Sequence, residues 1–427
     1  MTKAILRHFR LGSLGFLGSS AALLLSAPAI RAQDQSVPLT FGISQSFQAL
    51  NNADFSDPSS GNTATSITSL SFGSSTVTPT DSLRFSAGVG IALQRDADGN
   101  VTTSVNAPNV ALNYGRTTSA SAVTAYASYS LDQLDQLRSP LDFVNDNGQI
   151  ILPSNPADLV STGLKQDIQA GASLEIGRDK LFGLTFAVTG EQISYTETTD
   201  PALLDIDTAS ASVTGRFSYS PQGDLTLGLG TEHQLTLDKP QNIQRNTQDL
   251  SLGTSYDVSP VLTLGGYVKY EIVDATGFAQ SSRPRAQVSA DYTFLNGSLS
   301  LQVGDQDSSL VWQQKLLSGG FSASLSHGQD NSGNGTLDQL GFNYSQTIND
   351  LSGLNMGLFY SSDNGSTTSA DLAATTLVVS YNHQLTKDWG MNVGANYRLR
   401  DPSSNSTDSA ASAGVFLTVS RNVNFLR

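Results

Sequence analysis

Three histidines stand beyond residue 32: His233, His327 and His383. Histidine is the usual general base, and with a nearby Ser, Cys, Asp or Glu it supports acyl transfer or metal binding. The spacing here supplies neither. The chain has no H-E-x-x-H, no G-x-S-x-G and no cysteine, so the common zinc and nucleophile signatures are missing and no cofactor is implied. DADGN (96–100) and GQDNSGNG (328–335) lack the full calcium-loop spacing and its terminal Glu. They read first as turns. The histidines are therefore read as isolated structural residues. A serine meeting one of them on an outer wall is the single route left to a hydrolase.

A second set of ionisable residues is more regular. Arg84, Arg216, Lys269, Arg285, Lys315, Arg398 and Arg400, with Asp167, Glu175, Glu191, Glu232, Glu271 and Asp291, each sit at the polar phase of a two-residue alternation. LRFSAGVGIALQ (83–94) shows the pattern: Leu83, Phe85, Ala87, Val89, Ile91 and Leu93 fall on one face, and Arg84, Ser86, Gly88, Gly90, Ala92 and Gln94 on the other. Period two marks strands. It recurs along the chain, as in Leu164–Ile176, Ala209–Tyr219, Leu262–Ile272, Ala286–Phe294 and Trp389–Leu399. About 20 such segments at roughly 20-residue spacing predict an all-β chain. The segments around 64–74 and 104–114 are the weakest.

The connections alternate in length. SPQGD (220–224), DVSP (257–260), LNG (295–297), LSGG (317–320) and LTKDW (385–389) are tight. NNADFSDPSSGNT (51–63), TETTDPALLDID (196–207), VDATGFAQSSRP (273–284), SSDNGSTTSAD (361–371) and RDPSSNSTDS (400–409) are longer and polar. The longest runs over 131–160. Short turns at one end and long loops at the other fit a closed antiparallel barrel crossing lipid. A β-solenoid would need a short fixed repeat, and a string of sandwiches would need linkers. No apolar run beyond residue 32 is long enough for a membrane helix. Aromatics such as Tyr114, Tyr219, Tyr270, Tyr360 and Trp389 end the apolar stripes, as interfacial girdles would.

Residues 1–32 have a basic start, an apolar middle and small residues at APA and IRA, the three parts of a secretory signal peptide. The cut is placed after Ala32, with Ala29 the alternative and a short membrane anchor the competing reading. Residues 33–427 then form one barrel domain. The formal charge is −14 for the chain and −18 beyond residue 32, because Lys3, Arg7, Arg10 and Arg31 all lie in the leader. That balance excludes nucleic acid as a partner and disfavours peripheral binding to anionic lipid.

The pattern of 33–427 resembles bacterial outer-membrane β-barrel proteins of the porin type. It does so by strand pattern, without a family motif. The last segment, SAGVFLTVSRNVNFLR (412–427), carries the resemblance furthest, although its aromatic, Phe425, stands two residues before the end and Arg421 breaks the apolar face. The resemblance implies 18–20 strands in the outer membrane, short periplasmic turns, and the barrel-assembly machinery and outer-membrane lipid as partners. It also implies passive diffusion of small hydrophilic solutes or ions, and no enzyme activity. In porins the third outer loop often folds inward and narrows the pore. Here that loop is 131–160, whose Asp132, Asp135, Asp142 and Asp146 would favour cations. A non-conducting structural, adhesive or export-associated barrel is the second reading, and a membrane-embedded hydrolase the third. A homo-oligomer stays open. N-terminal sequencing of the envelope-extracted protein is expected to begin at Gln33, or at Ile30 for the alternative cut. An intact Met1 would contradict the leader.

Overall fold

The computed structural model describes residues 38–425 apart from 57–58, 146–148, 199, 238–241, 278, 330–334, 365–371 and 403–408. The leader and Asp146 lie outside the described residues. The first ten strands are β1 (Leu39–Asn51), β2 (Asn62–Val77), β3 (Asp81–Arg95), β4 (Val101–Thr117), β5 (Ser121–Gln133), β6 (Leu164–Ile176), β7 (Phe182–Thr196), β8 (Asp205–Ser220), β9 (Gly223–Leu237) and β10 (Asn242–Ser259). The rest are β11 (Leu262–Ala275), β12 (Ser281–Phe294), β13 (Gly297–Gly304), β14 (Ser308–Leu316), β15 (Gly319–Gln329), β16 (Thr336–Asn349), β17 (Ser352–Asn364), β18 (Leu372–Gln384), β19 (Trp389–Pro402) and β20 (Ala410–Asn424). Each strand pairs antiparallel with its neighbours in the chain, and β20 returns to β1 from Thr40↔Asn424 to Asn51↔Ala413. The sheet is a closed 20-stranded barrel.

The register turns alternation into an inside and an outside. Leu227 and Leu229 of β9 pair with Leu252 and Leu250 of β10, and these in turn with Val268 and Tyr270 of β11. Leu227 and Leu229 are 56% and 59% exposed. A continuous apolar wall of this kind has no place in water and suits the lipid face of a membrane barrel. Between them Gly228, Gly230, Ser251 and Asp249 point inward. Tyr114, Tyr219, Tyr256, Phe294 and Trp389 lie near the end that carries the short turns, and Tyr129, Tyr270, Tyr360 and Tyr397 nearer the other, on the outward parity. Arg421 also faces outward at the turn end, its guanidinium 5.6 Å from the Trp389 ring.

The weak segments are strands, and in one of them the weakness has a local cause. In β4 the register slips opposite Gly88 and Gly90, where Ala107 takes a φ of 43° just before Pro108. The bulge shifts the phase of alternation between Val105 and Val110, so neither periodicity runs the length of the strand. A Leu229→Arg change on the lipid face is expected to cost about 2–4 kcal/mol in unfolding from lipid vesicles. Thr226→Arg, on the inward face of the same strand, should cost far less. Equal costs would contradict the facing.

Candidate functional site

The connection between β5 and β6, residues 134–163, folds into the barrel. In a ring of twenty strands β16 stands opposite β6, and the loop reaches it: Gln339 of β16 donates to the Pro153 carbonyl at 2.7 Å. Phe143 meets the inward Phe359 of β17 with ring centroids 4.5 Å apart, and both rings are buried. Leu137 packs with Val378 of β18 and Phe416 of β20. The wall provides room at glycines. A Cβ on Gly341 would lie 2.6 Å from Ile150, and one on Gly414 would lie 2.9 Å from Leu137. Val144 and Ile150 pair as an isolated antiparallel bridge, and Ala157–Val160 forms one helical turn, buried with Leu203 and Phe55 from the neighbouring loops. Burying several such side chains, at about 1.5–3 kcal/mol each, is what holds a loop inside a wet barrel.

Polar contacts fix its register. Arg398 of β19 donates to the carbonyls of Leu134 and Asp135 at 3.4 and 3.3 Å, and its guanidinium covers the Phe55 ring at 4.9 Å. Arg400 donates to the Val160 carbonyl at 3.3 Å, to Ser161 Oγ at 3.1 Å and to Asp200 at 2.6 Å. Burial works against ionisation of Asp200, but the hydrogen bonds from Arg400 and Ser161 outweigh it and hold the carboxyl below its usual range. Burial pushes the Asp135 carboxyl up, and Arg398 opposes this only in part. Lys165 of β6 binds Asp158 at 2.6 Å, and Tyr195 of β7 donates to the same carboxylate at 2.9 Å.

Of the loop acids, Asp158 ties the loop to the wall and Asp142 caps its own turn, while Asp135 Oδ1 is buried with no hydrogen-bond partner among the described residues. Asp142 accepts the Ser139 N–H at 2.7 Å and closes a capping box over the turn Pro140–Phe143. Asp132 is the last inward residue of β5 and accepts from Ser130 at 3.2 Å.

Register places all of the sequence-derived wall residues on the inner face, at two heights. Arg84, Glu175, Arg216, Asp291 and Lys315 sit near the turn end. There Arg216 donates to the Gly177 carbonyl at 3.2 Å, and Arg178 lies 3.2 Å from Glu175. Arg84 lines a cavity of about 940 Å³ with Thr40, Ser75, Ser86, Asn113 and Asn422. Asp167, Glu191, Glu232, Lys269, Glu271, Arg285, Arg398 and Arg400 occupy the half nearer the loops. On β6–β7, Gln169 joins Asp167 and Glu191 at 3.1 and 2.8 Å. On β11–β12, Glu271 is nearly buried among Arg285 at 2.5 Å, Lys269 at 3.3 Å and Arg283 at 3.5 Å. Sequence reading missed Arg283, because 273–284 looks like one long loop while β12 already begins at Ser281. Arg245 and Asp249 of β10, also inward, were missed too.

Glu232 and Tyr267 point inward from the middle of β9 and β11, yet both are exposed. They lie on the wall away from the loop, which packs along β16–β20.

The histidines face outward but are not isolated. His233 Nδ1 lies 2.7 Å from Asn246, His327 Nδ1 2.6 Å from Asp338, and His383 Nδ1 2.8 Å from Ser352 Oγ. The last is a serine–histidine contact on the outer wall. Tyr381 also donates to Ser352 Oγ at 2.9 Å. The constellation stops there: among the described residues no group binds His383 Nε2 to orient the ring, and Ser352 is 7% exposed. No group of three or more His, Cys, Asp or Glu suited to a metal occurs among the described residues.

No protein-family model matches the chain, and no curated protein matches it. Solved structures similar to it include the siderophore receptor PirA from Pseudomonas aeruginosa, at 9% identity and a TM-score of 0.46, covering 92% of this chain and 81% of that one. The FrpB iron transporter from Neisseria meningitidis has 9% identity and a TM-score of 0.48, covering 91% and 82%. OccK5 (OpdH) from Pseudomonas aeruginosa has 9% identity and a TM-score of 0.38, covering 91% and 98%.

A carboxylate held below its usual range stabilises above the unfolded value, near 4, and loses that effect as pH falls through its own lower value. The Asp200–Arg400 latch is therefore expected to hold unchanged from pH 8 to pH 5 and to fail only in stronger acid. Arg400→Gln should raise chymotryptic cleavage within 134–163 severalfold at neutral pH. Cleavage equal to that of the unsubstituted protein would contradict the latch.

Proposed function

We propose that the protein is a channel of the bacterial outer membrane that passes small hydrophilic solutes and ions by passive diffusion. The observation that carries this reading is the pair Glu232 and Tyr267, inward yet exposed, beside a loop that fills the other side of the lumen. A barrel of this strand number leaves a lumen wider than its own side chains can fill. Solutes would enter at the loop end, pass the loop edge along β7–β15, and leave through the hydroxyl- and amide-lined cavity at the turn end. The turn end faces the periplasm by analogy with barrels of this class.

Charge selection would come from the wall. Asp167 and Glu191 form an acidic sector, while Lys269, Arg283 and Arg285 around Glu271 form a basic one. A field across the opening follows from that separation, and the acids give a mild cation preference. Asp142, tied to its own turn, adds little.

Single-channel recording of the refolded protein in a planar bilayer tests this. Stable steps proportional to salt are expected. Asp167→Asn with Glu191→Gln should move the reversal potential in a salt gradient towards zero, whereas Asp142→Asn should leave it in place. Phe143→Ala removes a buried ring, a change worth about 3–5 kcal/mol in a packed core, and should enlarge the steps by freeing the loop. A folded barrel that stays silent would overturn the reading.

A further inference from the structure

The wall is not of even height. β13 has eight residues and β14 nine, between β12 with fourteen and β16 with fourteen. Eight residues at the usual tilt rise roughly 20 Å along the barrel axis. The apolar band of such barrels is about 25 Å tall. The wall between β12 and β15 therefore ends within the outer part of the lipid rather than above it.

The ladder between β12 and β13 stops at Gln287↔Gly304, so Ser281–Ala286 of β12 rise without a strand partner on that side. The edge is adapted to being open. Ala286 N–H donates to Asp305 Oδ1 at 3.2 Å, and two residues further up the same edge Pro284 has no N–H to leave bare. Across the gap, Arg283 and Arg285 both reach Gln329 at the top of β15, at 3.4 and 3.3 Å. Beside it a hollow of about 170 Å³ lies at the top of the β13–β15 ladder: Gln302, Ser309 and Ser326 line it from the inward parity, Ser308 and His327 from the outward one, and Asp307 at its rim accepts the Gln329 N–H at 3.4 Å. Behind it, on the lumen side, Lys269, Arg283 and Arg285 outnumber Glu271, while Asp305 and Asp307 stand at the rim.

We propose that this notch above the β13–β14 hairpin is a lateral portal through which a single-chain anionic amphiphile exchanges between lumen and outer leaflet. Its carboxylate or phosphate head would meet Arg283 and Arg285, and its chain would lie over the apolar wall by Leu310 and Trp312. The inference stands apart from the diffusion reading, because a barrel closed to ions would still offer the notch.

The chain has two tryptophans, so Trp389→Phe leaves Trp312 on β14 as the sole donor for energy transfer. In bilayer nanodiscs, transfer from Trp312 to anthroyloxy-labelled stearate is expected to saturate, to be competed by unlabelled stearate and to resist stearyl alcohol. Removing two cations would strand a buried carboxylate, so the test variant is Glu271→Gln, Arg283→Gln, Arg285→Gln together. It should weaken the transfer at least tenfold. Ser309→Phe fills the hollow, leaves the arginines in place and should abolish saturation, so it decides the matter if the triple variant does not fold. Transfer that rises linearly with probe content, equal in all folded variants, would overturn the portal.

Discussion

Everything in this molecule follows from one obligation: within hydrocarbon, each backbone N–H and C=O needs a partner from the chain itself. A sheet meets it by closing, and β20 returns to β1 along nearly the full length of both strands. Closure fixes which parity is outside, so leucines such as Leu225, Leu227 and Leu229 can stand exposed in a row without driving aggregation. Where the wall drops above β13, the exception is handled by an acceptor at Asp305 and by Pro284.

The same closure creates an interior that polar residues must line and a loop can enter. The loop 134–163 is held by two kinds of force acting together. Apolar contact, Phe143 on Phe359 and Leu137 on Phe416, removes surface from water. Arg398 and Arg400 satisfy backbone carbonyls that a buried loop would otherwise leave bare. The loop therefore lies along β16–β20, and the ionisable residues of β6–β7 and β11–β12 pair with one another on the rest of the wall.

Strand alternation was legible because lipid and water impose opposite demands on neighbouring residues. A strand count of 18–20 was as far as it went, since the bulge at Ala107–Pro108 hides the phase of β4. The inward parity of Glu191, Glu232, Lys269 and Arg398 followed from the same pattern. What the pattern lacks is height and pairing across the lumen. Arg398 and the carbonyl of Leu134 are 264 positions apart, and Phe359 and Phe416 look out of place on a polar face until the loop is there to cover them. The role of the loop acids also turned on contacts: Asp142 reads as free charge in the sequence but caps the loop's own turn, and Asp135 is buried, its carboxyl pushed up by that burial.

The central claim is an apolar outside and a water-filled inside on the sector away from the loop. The chain has no native cysteine, so cysteines placed one at a time along β9 can be read without background. With the protein in lipid vesicles, a membrane-impermeant maleimide is predicted to label positions 226, 228, 230 and 232 and to spare 225, 227 and 229. Labelling of neither set would mean a dry lumen, and labelling of the second set would invert the barrel's faces. Either result would contradict the account.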